Sequence, residues 1–404
     1  MLTRVGVPVE SSAEPSAPDP GPVTLICFSH LRWNFVFQRP QHLMSRFARE
    51  MNVIYWEEPV DIAPTQAAFL DVREVDASGV RIVVPQLPEG MPDDAREATL
   101  RRLLTAHLAA IRGPLVAWYY TPMMLPFSRD IEPDVTVFDA MDELSKFKFA
   151  PTHLLRLEQE LIDRADVVFT GGSSLFEAKK DRHDNVHCFP SSVDRAHFAK
   201  ARGGQFDPAD QEDLPRPRLG FYGVIDERFD VELLDRVAQM RPDWSFVMVG
   251  PVVKIAEEDL PRRANIHYLG GKTYAELPAY LSGWDVALMP FAMNESTEFI
   301  SPTKTPEYLA GGKPVVSTPV KDVVRHYGHL EGVQIASTPE EFVAACETAL
   351  KLARDPEGGW LAEADLMLSA SSWDTTQARI AGLVADQLGT HRGASKPAML
   401  VAAE

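Results

Sequence analysis

Short apolar runs that end in polar residues alternate with helical patterns along most of the chain, and this alternation limits the possible folds more than any other feature. VTLICFSH (23–30) is the first such run, and RPQHLMSRFAREM (39–51) follows it with apolar residues at helical spacing. Strands that alternate with helices predict a parallel sheet with helices on both faces. The fold class is therefore α/β, of the doubly wound kind.

The runs form two series on either side of an irregular segment. The first series continues at 52–59, 80–88, 115–122, 134–142, 165–172 and 185–194, and the second comprises 218–225, 244–252, 265–271, 285–291, 314–319 and 332–338. The segment between them, 199–217, has two adjacent glycines and three prolines and lacks periodicity, which predicts an interdomain linker. We predict six parts: a disordered tail 1–21, a Rossmann-like domain 22–198, the linker 199–217, a second Rossmann-like domain 218–371, a helix 372–389 and a flexible tail 390–404.

Composition excludes several classes of protein. A chain of 404 residues is longer than a domain with one hydrophobic core usually is. The net charge of −18 argues against a nucleic-acid partner, because binding its phosphates requires cationic side chains. The three cysteines are far apart and show no metal-ligand spacing, so we expect neither disulfides nor a metal site. No apolar stretch has membrane-spanning length and the N-terminus lacks a signal-peptide pattern, so we expect a cytoplasmic protein.

The stretch from Pro290 to Pro319 predicts a ligand site. It reads as a strand end, a loop, a short helix over 306–310, a glycine turn and another strand. A helix N-terminus beside the carboxyl end of a parallel strand favours an anion. Lys304 precedes that helix and Glu307 lies in its first turn, so a cation for phosphate and a carboxylate for sugar hydroxyls lie one turn apart. The pattern predicts a phosphorylated, hydroxyl-rich ligand.

Other strand ends of the second series carry glycines and one arginine. Gly223 to Arg228, Gly250-Pro251 and Gly270-Gly271 lie where the carboxyl ends of parallel strands meet. Turn glycines and a solvated arginine would give the same pattern. The chain lacks both the Gly-x-Gly-x-x-Gly fingerprint and the P-loop, which disfavours a standard dinucleotide or ATP-hydrolysing site.

The second series resembles a known family. Pro302-x-Lys304-x-x-Glu307-Tyr308-Leu309-Ala310-x-Gly312-x-Pro314-Val315-Val316 is similar to the sugar-donor signature of retaining GT-B glycosyltransferases, the glycosyl transferases group 1. FPSSVDRAHF (189–198) and GFYGVID (220–226) resemble further parts of that family. The resemblance implies two Rossmann-like domains that face a cleft, with the acceptor on the first domain, the sugar donor on the second, and a last helix that crosses back to the first.

The resemblance also implies roles for single residues. Glu307 would bind the ribose of a nucleotide-sugar, while Arg228 and Lys304 would hold its diphosphate. The remaining sugar-donor contacts would come from Gly223, Gly250, Pro251, Leu269, Thr303 and Tyr308. The family motif has an earlier glutamate that would fall at Phe299, whereas Glu298 lies one residue away, and Val224 stands where members commonly have an arginine.

The loop SHLRWNFVFQRPQHL (29–43) resembles a subgroup of bacterial exopolysaccharide and teichuronic-acid glycosyltransferases. Trp33 could stack on a sugar face and Arg39 could reach phosphate. The acceptor-side candidates are His30, Trp33, Asn34, Arg39, His42 and Tyr120. A buried polar network is the alternative for the loop, and plain packing is the alternative for Tyr120.

Asp139 and Asp142 end another strand of the first series. An acid there could orient acceptor hydroxyls or stabilise an oxocarbenium-like centre, so we count both with Arg228 and Lys304 as catalytic candidates. Capping of the following helix is the alternative for Asp142.

The resemblance implies transfer of a sugar from a nucleotide-diphosphate sugar, UDP- or GDP-linked, to a hydroxyl of a glycan, lipid-linked glycan or small molecule. We expect retention, no metal and no cofactor, and peripheral contact with the inner face of the membrane stays open. The alternatives are a nucleotide-sugar 2-epimerase of the same fold and a non-catalytic nucleotide-sugar-binding or scaffold protein.

Overall fold

Two parallel sheets organise the protein, whose computed structural model describes residues 21–75, 78–204, 207–355 and 359–394. The strands are β1 Thr24–Phe28, β2 Asn52–Trp56, β3 Val60–Ile62, β4 Phe69–Val75, β5 Val80–Pro88, β6 Leu115–Tyr119, β7 Val135–Ala140, β8 Val167–Thr170, β9 Val186–Cys188, β10 Arg218–Tyr222, β11 Ser245–Val249, β12 Ile266–Tyr268, β13 Val286–Met289, β14 Val315–Ser317 and β15 Val333–Ile335. The helices are α1 Arg39–Phe47, α2 Asp93–Leu108, α3 Leu125–Ser128, α4 Leu154–Arg164, α5 Ser173–Lys179, α6 Arg195–Ala199, α7 Val231–Met240, α8 Leu277–Ser282, α9 Lys304–Ala310, α10 Lys321–Tyr327, α11 Pro339–Arg354, α12 Trp360–Leu368 and α13 Trp373–Ala394.

Each sheet is wound outward in both directions from its first strand. The first domain has the strand order β3-β5-β2-β1-β6-β7-β8-β9, and the second has β12-β11-β10-β13-β14-β15. In both domains the order reverses at the first strand, which creates a crevice at the carboxyl ends of the strands. The predicted α/β class with two doubly wound domains is confirmed.

Buried strands explain the apolar runs. All five side chains of β1 are buried; Leu25 and Cys27 join one apolar cluster, while Ile26 and Phe28 join the cluster on the opposite face. Alternate side chains of a strand point to opposite faces, so a sheet that is covered on both faces needs a continuous apolar run.

The first sheet has an edge that the sequence analysis leaves unassigned. β4 pairs antiparallel with β5, from Phe69 opposite Gln86 to Val75 opposite Val80. β3 pairs parallel with the carboxyl end of β5. Both edge strands are partly exposed, so their sequences lack the continuous apolar run that marks the central strands.

The segment 199–217 packs on the second domain along its described residues. The Arg202 guanidinium donates to the carbonyl oxygens of Leu309 and Ala310, and the fully buried Gln211 accepts a hydrogen bond of 2.9 Å from the Trp284 indole. The predicted linker therefore lies against the domain that follows, where its polar side chains satisfy buried groups.

Helix α13 follows the second domain in sequence but packs on the first. Its Trp373, Ile380 and Val384 are buried in the same cluster as Leu43 and Phe47 of α1. The helix extends to Ala394, beyond the predicted end at 389, and the rest of the predicted flexible tail lies outside the described residues. The predicted disordered tail lies outside the described residues except for Gly21. Among the helices that the structure describes, none is both long enough and apolar enough to cross a membrane.

Candidate active site

A cleft of about 90 Å³ lies between the carboxyl edges of the two sheets. Its walls come from both domains and are formed by Gln38, Arg39, Met141, Asp142, Gly171, Ser191, Arg228, Phe291, Ile300, Ser301, Pro302, Thr303 and Lys304. A larger, open depression of about 680 Å³ is lined by β15, the turn before it and the start of α12, all in the second domain. The cleft is the better candidate because charged groups of both domains converge there.

Two glycines let the second domain's loops lie close to the cleft floor. Gly223 follows β10 with φ 140° and Gly250 follows β11 with φ 150°. A Cβ atom on Gly250 would lie 1.8 Å from the Gly223 carbonyl oxygen, and one on Gly223 would lie 2.3 Å from Cε of Lys304. Both positions therefore require glycine, and the Lys304 side chain lies directly across the first loop.

Lys304 begins α9 and points its ammonium group over aromatic rings. Its Nζ lies 5.7 Å from the ring centroids of both Phe221 and Phe291. Burial, reinforced by the positive charge of Arg228, lowers the pKa of Lys304 to about 8 against the opposing effect of nearby acids. An anion that binds beside this ammonium group would stabilise the charged form of Lys304.

Arg228 is held by its neighbour Asp226. Nε donates to Oδ1 at 3.0 Å and Nη2 to Oδ2 at 2.6 Å, while the guanidinium lies 5.3 Å from the ring centroid of Phe147 in the first domain. Nη1 donates no hydrogen bond to any residue within the described ranges. One edge of the group is thus fixed, and the other is available to a ligand.

Glu307 lies in the first turn of α9, behind Lys304. It is 7% exposed, and its Oε2 accepts a hydrogen bond of 2.9 Å from the Tyr222 hydroxyl. The Tyr308 hydroxyl accepts from the backbone N–H of Tyr222 at 3.0 Å, which fixes this turn to β10. Burial raises the pKa of Glu307 to about 7, against the opposing effects of Tyr222 and Lys304.

The remaining predicted sugar-donor residues lie around these groups. The Pro251 carbonyl oxygen accepts a hydrogen bond from the N–H of Ile225, which joins the two glycine loops. Leu269 directly follows β12. Thr303 lies in the wall of the cleft just before α9.

Asp142 reaches the cleft from the first domain. Burial raises its pKa, while Arg228, Lys304 and Lys254 of the second domain lower it. Glu143, not Asp142, occupies the cap position of the short turn Leu144–Lys146, so the capping alternative is wrong. The Asp142 carboxyl is therefore a group of the cleft.

Asp139 and Arg39 form a buried ion pair instead of facing a ligand. Asp139 is 0% exposed and accepts from Nε and Nη2 of Arg39, while Nη1 donates to the Phe189 carbonyl oxygen at 2.7 Å. The prediction that Asp139 faces the cleft is wrong, because both of its carboxylate oxygens accept hydrogen bonds from Arg39 in the buried interior. Arg39 borders the cleft but has its three nitrogens engaged, so it cannot reach phosphate in this conformation. Tyr120 is 1% exposed beside this pair and packs in the core.

Most of the loop 29–43 belongs to the core. Trp33 is 7% exposed and packs edge-on against Tyr55, and His42 stacks on Trp373 of α13 with ring centroids 4.5 Å apart. The predicted sugar contact of Trp33 and acceptor contact of His42 are therefore corrected to packing roles. Asn34 is exposed outside the cleft lining.

His30 of the same loop lies within electrostatic reach of Lys254 of the second domain. Its Nδ1 is buried and has no partner within the described residues, and burial with the nearby Lys254 lowers its pKa to about 4. Sequence reasoning missed Lys254 itself, and it also missed Glu227. The signal for Glu227 was present, since it directly precedes the singled-out Arg228.

No glutamate of this chain stands where the family motif has its earlier glutamate. Phe299, at that position, packs against an apolar cluster of the first domain, and Glu298 pairs with Lys321 at 2.8 Å. The departure noted in the sequence is therefore a structural one as well.

Two facing Rossmann-like domains with charged loops at their shared edge define the GT-B class of fold. Residues 216–352 match the family model described as Glycosyl transferases group 1. The predicted resemblance is confirmed.

One curated relative is the "Putative teichuronic acid biosynthesis glycosyltransferase TuaH" of Bacillus subtilis (strain 168), 28% identical over 206 residues. This match spans about half of each chain, 48% of this one and 50% of the relative. Similar solved structures include the sucrose-phosphate synthase of Thermosynechococcus elongatus, with a TM-score of 0.65 and 15% identity over 91% of this chain and 99% of that one. Another is Alr3699/HepE of Anabaena in complex with UDP, with a TM-score of 0.61 and 14% identity over 91% of this chain and 100% of that one. At these identities the structures show the fold.

Proposed function

We propose that the protein is a glycosyltransferase that moves a sugar from a nucleotide-diphosphate sugar to a hydroxyl acceptor, with retention and without a metal. The observation that carries this proposal is the pair of cations, Lys304 and Arg228, beside the glycine loop at Gly223. The glycosyl transferases group 1 match over the same residues supports it.

The diphosphate of the sugar donor would lie between these two cations. When the bond from the sugar to phosphate breaks, negative charge grows on the leaving diphosphate. Lys304 and the available edge of Arg228 would stabilise that charge without a metal, and the backbone of the glycine loop allows close approach. Arg228 is already fixed by Asp226, so little reorganisation is needed.

Glu307 would bind the ribose of the nucleotide. A carboxylate accepts hydrogen bonds from two neighbouring hydroxyls, and the Tyr222 hydroxyl already orients one of its oxygens. The nucleotide is proposed to be uridine or guanosine diphosphate; the complex of the Anabaena structure with UDP supports uridine.

The acceptor would enter from the first domain, where Asp142 faces the cations. In front-face transfer the leaving phosphate takes the proton of the incoming hydroxyl, so sugar donor and acceptor must lie on the same side. Asp142 would orient the acceptor hydroxyl or stabilise positive charge at the sugar. A glycan or lipid-linked glycan acceptor is proposed, with the latter bringing the protein to the inner face of a membrane.

A thermal-shift screen with UDP, GDP, ADP and dTDP sugars tests sugar-donor binding, since a ligand that binds only the folded state raises the melting temperature. Release of nucleoside diphosphate with and without candidate acceptors then tests transfer. We expect Lys304→Ala to lower turnover by about 10²–10³-fold, as loss of one charge-stabilising group does elsewhere. Lys321→Ala, which removes a cation outside the cleft, is the matched control.

Three outcomes would contradict the proposal. Binding without consumption of the sugar donor would favour a scaffold protein. Conversion of the free nucleotide-sugar without an acceptor would favour a 2-epimerase. Unchanged turnover of Lys304→Ala would remove that residue from the mechanism.

A further inference from the structure

Glu227 is a buried carboxylate without a hydrogen bond. It is 8% exposed, and neither Oε1 nor Oε2 accepts a hydrogen bond from any residue of the described ranges. The nearest cation is the Lys254 ammonium, whose Nζ lies 3.7 Å from Oε1. Buried carboxylates are normally hydrogen-bonded, because desolvation without compensation is unfavourable. This group is therefore positioned for a partner that the folded chain does not supply.

The loop that presents Glu227 is held firmly. Its neighbour Asp226 is occupied by Arg228, and the Asn294 side chain donates to the Glu227 carbonyl oxygen at 3.0 Å. Lys254 has φ 63°, an unfavourable conformation for a residue with a side chain, and its ammonium lies 4.9 Å from the ring centroid of Phe147. Strain of this kind is kept where the surroundings fix the backbone, often at a ligand site.

Two groups of the first domain, His30 and Asp142, lie within electrostatic reach of Lys254. Lys254 is close enough to His30 to lower its pKa, and close enough to Asp142 to act on that carboxyl too. The buried Nδ1 of His30 has no partner among the described residues. A carboxylate and an ammonium of the second domain thus lie near an imidazole and a second carboxylate of the first domain, and together they can accept and donate several hydrogen bonds.

The chemistry of this region fits hydroxyls better than phosphate. Glu227 and Asp142 bring negative charge, which opposes an anion, whereas Lys304 and Arg228 bring the positive charge that favours one. Hydroxyls donate to carboxylates and accept from an ammonium, so a polyol suits Asp142 in the cleft wall and the neighbouring Lys254 and Glu227. Glu298 cannot take this role while its carboxylate pairs with Lys321.

We propose that Glu227, supported by Lys254 and His30, binds the hydroxyls of the sugar that is transferred. The proposal rests on the proposed function, since it places this sugar next to a diphosphate held by Lys304 and Arg228. It assigns to the loop after β10 the sugar contact that the family's earlier glutamate would make, a position that is Phe299 in this chain.

The test separates the sugar from the nucleotide. Calorimetric titration measures the affinity of the full chain for UDP and for UDP-glucose, UDP-galactose, UDP-N-acetylglucosamine and UDP-glucuronate, with GDP and GDP-mannose as a second series. We expect one sugar nucleotide to bind more tightly than its free diphosphate. Glu227→Gln should weaken that sugar nucleotide by about 10- to 100-fold, the range for hydrogen bonds to a charged group. Its affinity for the free diphosphate should stay within about twofold.

Glu298→Gln is the matched control, because it makes the same change at the glutamate nearest to the family position. We expect it to bind every ligand like the wild type. If Glu227→Gln does not fold, Glu227→Asp retains the charge but shortens the side chain, and it should show the same selective loss.

The possible results are distinguishable. A variant at 227 that binds the sugar nucleotide like the wild type overturns the inference, as does a selective loss in Glu298→Gln. A wild type that binds no sugar nucleotide more tightly than its diphosphate also overturns the inference but leaves the nucleotide site intact. A wild type that binds none of these nucleotides overturns the proposed function, and the inference with it.

Discussion

Lys304 and Glu307 sit one turn apart with pKa values displaced toward each other. Burial lowers the pKa of the lysine to about 8 and raises that of the glutamate to about 7. Neutral pH therefore lies near both titrations, which is a feature of ligand sites more than of structural ion pairs. The sequence predicted Lys304 just before a helix start, whereas the helix begins at Lys304 itself. The aromatic surroundings of Lys304 come from Phe221 and Phe291, which lie at two other strand ends.

The first prediction concerns the pH dependence of diphosphate binding. A bound diphosphate favours the charged form of Lys304, so its pKa is higher in the complex than in the free protein. The complex then takes up a proton, and affinity falls as pH rises through about 8. We expect a decrease of up to about tenfold per pH unit above that value, the limit for one proton. Calorimetric titration with UDP from pH 7 to 9.5 measures it.

Lys304→Arg is the control for this profile. Its guanidinium keeps its charge over the whole range, so the fall in affinity should disappear even if the absolute affinity changes. A wild-type affinity that stays level through pH 8 would contradict the assignment of Lys304 to the phosphate.

The buried pair of Arg39 and Asp139 leads to a second prediction, on stability. Asp139→Asn leaves the Arg39 cation buried without its counter-charge, and loss of one partner of such a pair typically costs about 3–5 kcal/mol. Urea unfolding should show a loss of this size. Glu97→Gln, which breaks the half-exposed pair with Arg101, should cost less than about 1 kcal/mol. An Asp139→Asn protein that is as stable as the wild type but inactive would return Asp139 to the catalytic candidates.

At the scale of elements, the start of α5 is completed by the other domain. Asp322 of α10 is 1% exposed; its Oδ2 accepts from the N–H of Ser173 at 2.8 Å, and its Oδ1 accepts from the N–H of Ser174 at 3.0 Å. A Cβ on Gly172 would lie 2.5 Å from Oδ2, so glycine is needed for this approach. The two domains thus share a helix cap.

The third prediction follows from this shared cap. Asp322→Ala removes a capping interaction worth about 0.5–2 kcal/mol, and it also removes a contact between the domains. We expect faster hydrogen exchange over 171–180 and a larger radius of gyration in solution scattering. Asp230→Ala removes the cap of α7 inside the second domain, so it should speed local exchange without changing the radius. Equal radii for both variants would show that the Asp322 contact does not hold the domains together.

The elements themselves were largely predictable, while the contacts between them were not. Central strands such as β1 and β10 are buried on both faces, and their apolar runs record that burial directly. The burial of Trp33 and His42, in contrast, depends on contacts with Tyr55 and Trp373, which belong to other elements. A polar and aromatic loop looks the same whether it faces a ligand or another element. Only the tertiary packing separates the two.

For the whole molecule, the net charge of −18 and a cationic cleft are compatible. The cations of the cleft are few: Arg228 and Lys254 both lie over the Phe147 ring of the first domain, and both act with Lys304 on the Asp142 carboxyl. An acidic surface disfavours nucleic acid, while a local cluster of cations serves one diphosphate. The domains that form this boundary are joined by the Asp322 cap, by the stacking of Phe37 on Tyr274 at 4.6 Å, and by α13.

The fourth prediction is that α13 stabilises the first domain selectively. Trp373 is 1% exposed in the core of that domain, whereas the core of the second domain is completed by Trp360 and Leu368 of α12. Trp373→Ala should cost about 3–5 kcal/mol, the usual effect of removing a buried tryptophan side chain. Hydrogen exchange should then accelerate in β1, β2 and β6 but not in β10 and β11. Asp386→Ala, on the exposed face of α13, should change stability by less than about 0.5 kcal/mol. If exchange in β10 and β11 accelerates equally, the two domains unfold as one unit and α13 supports both.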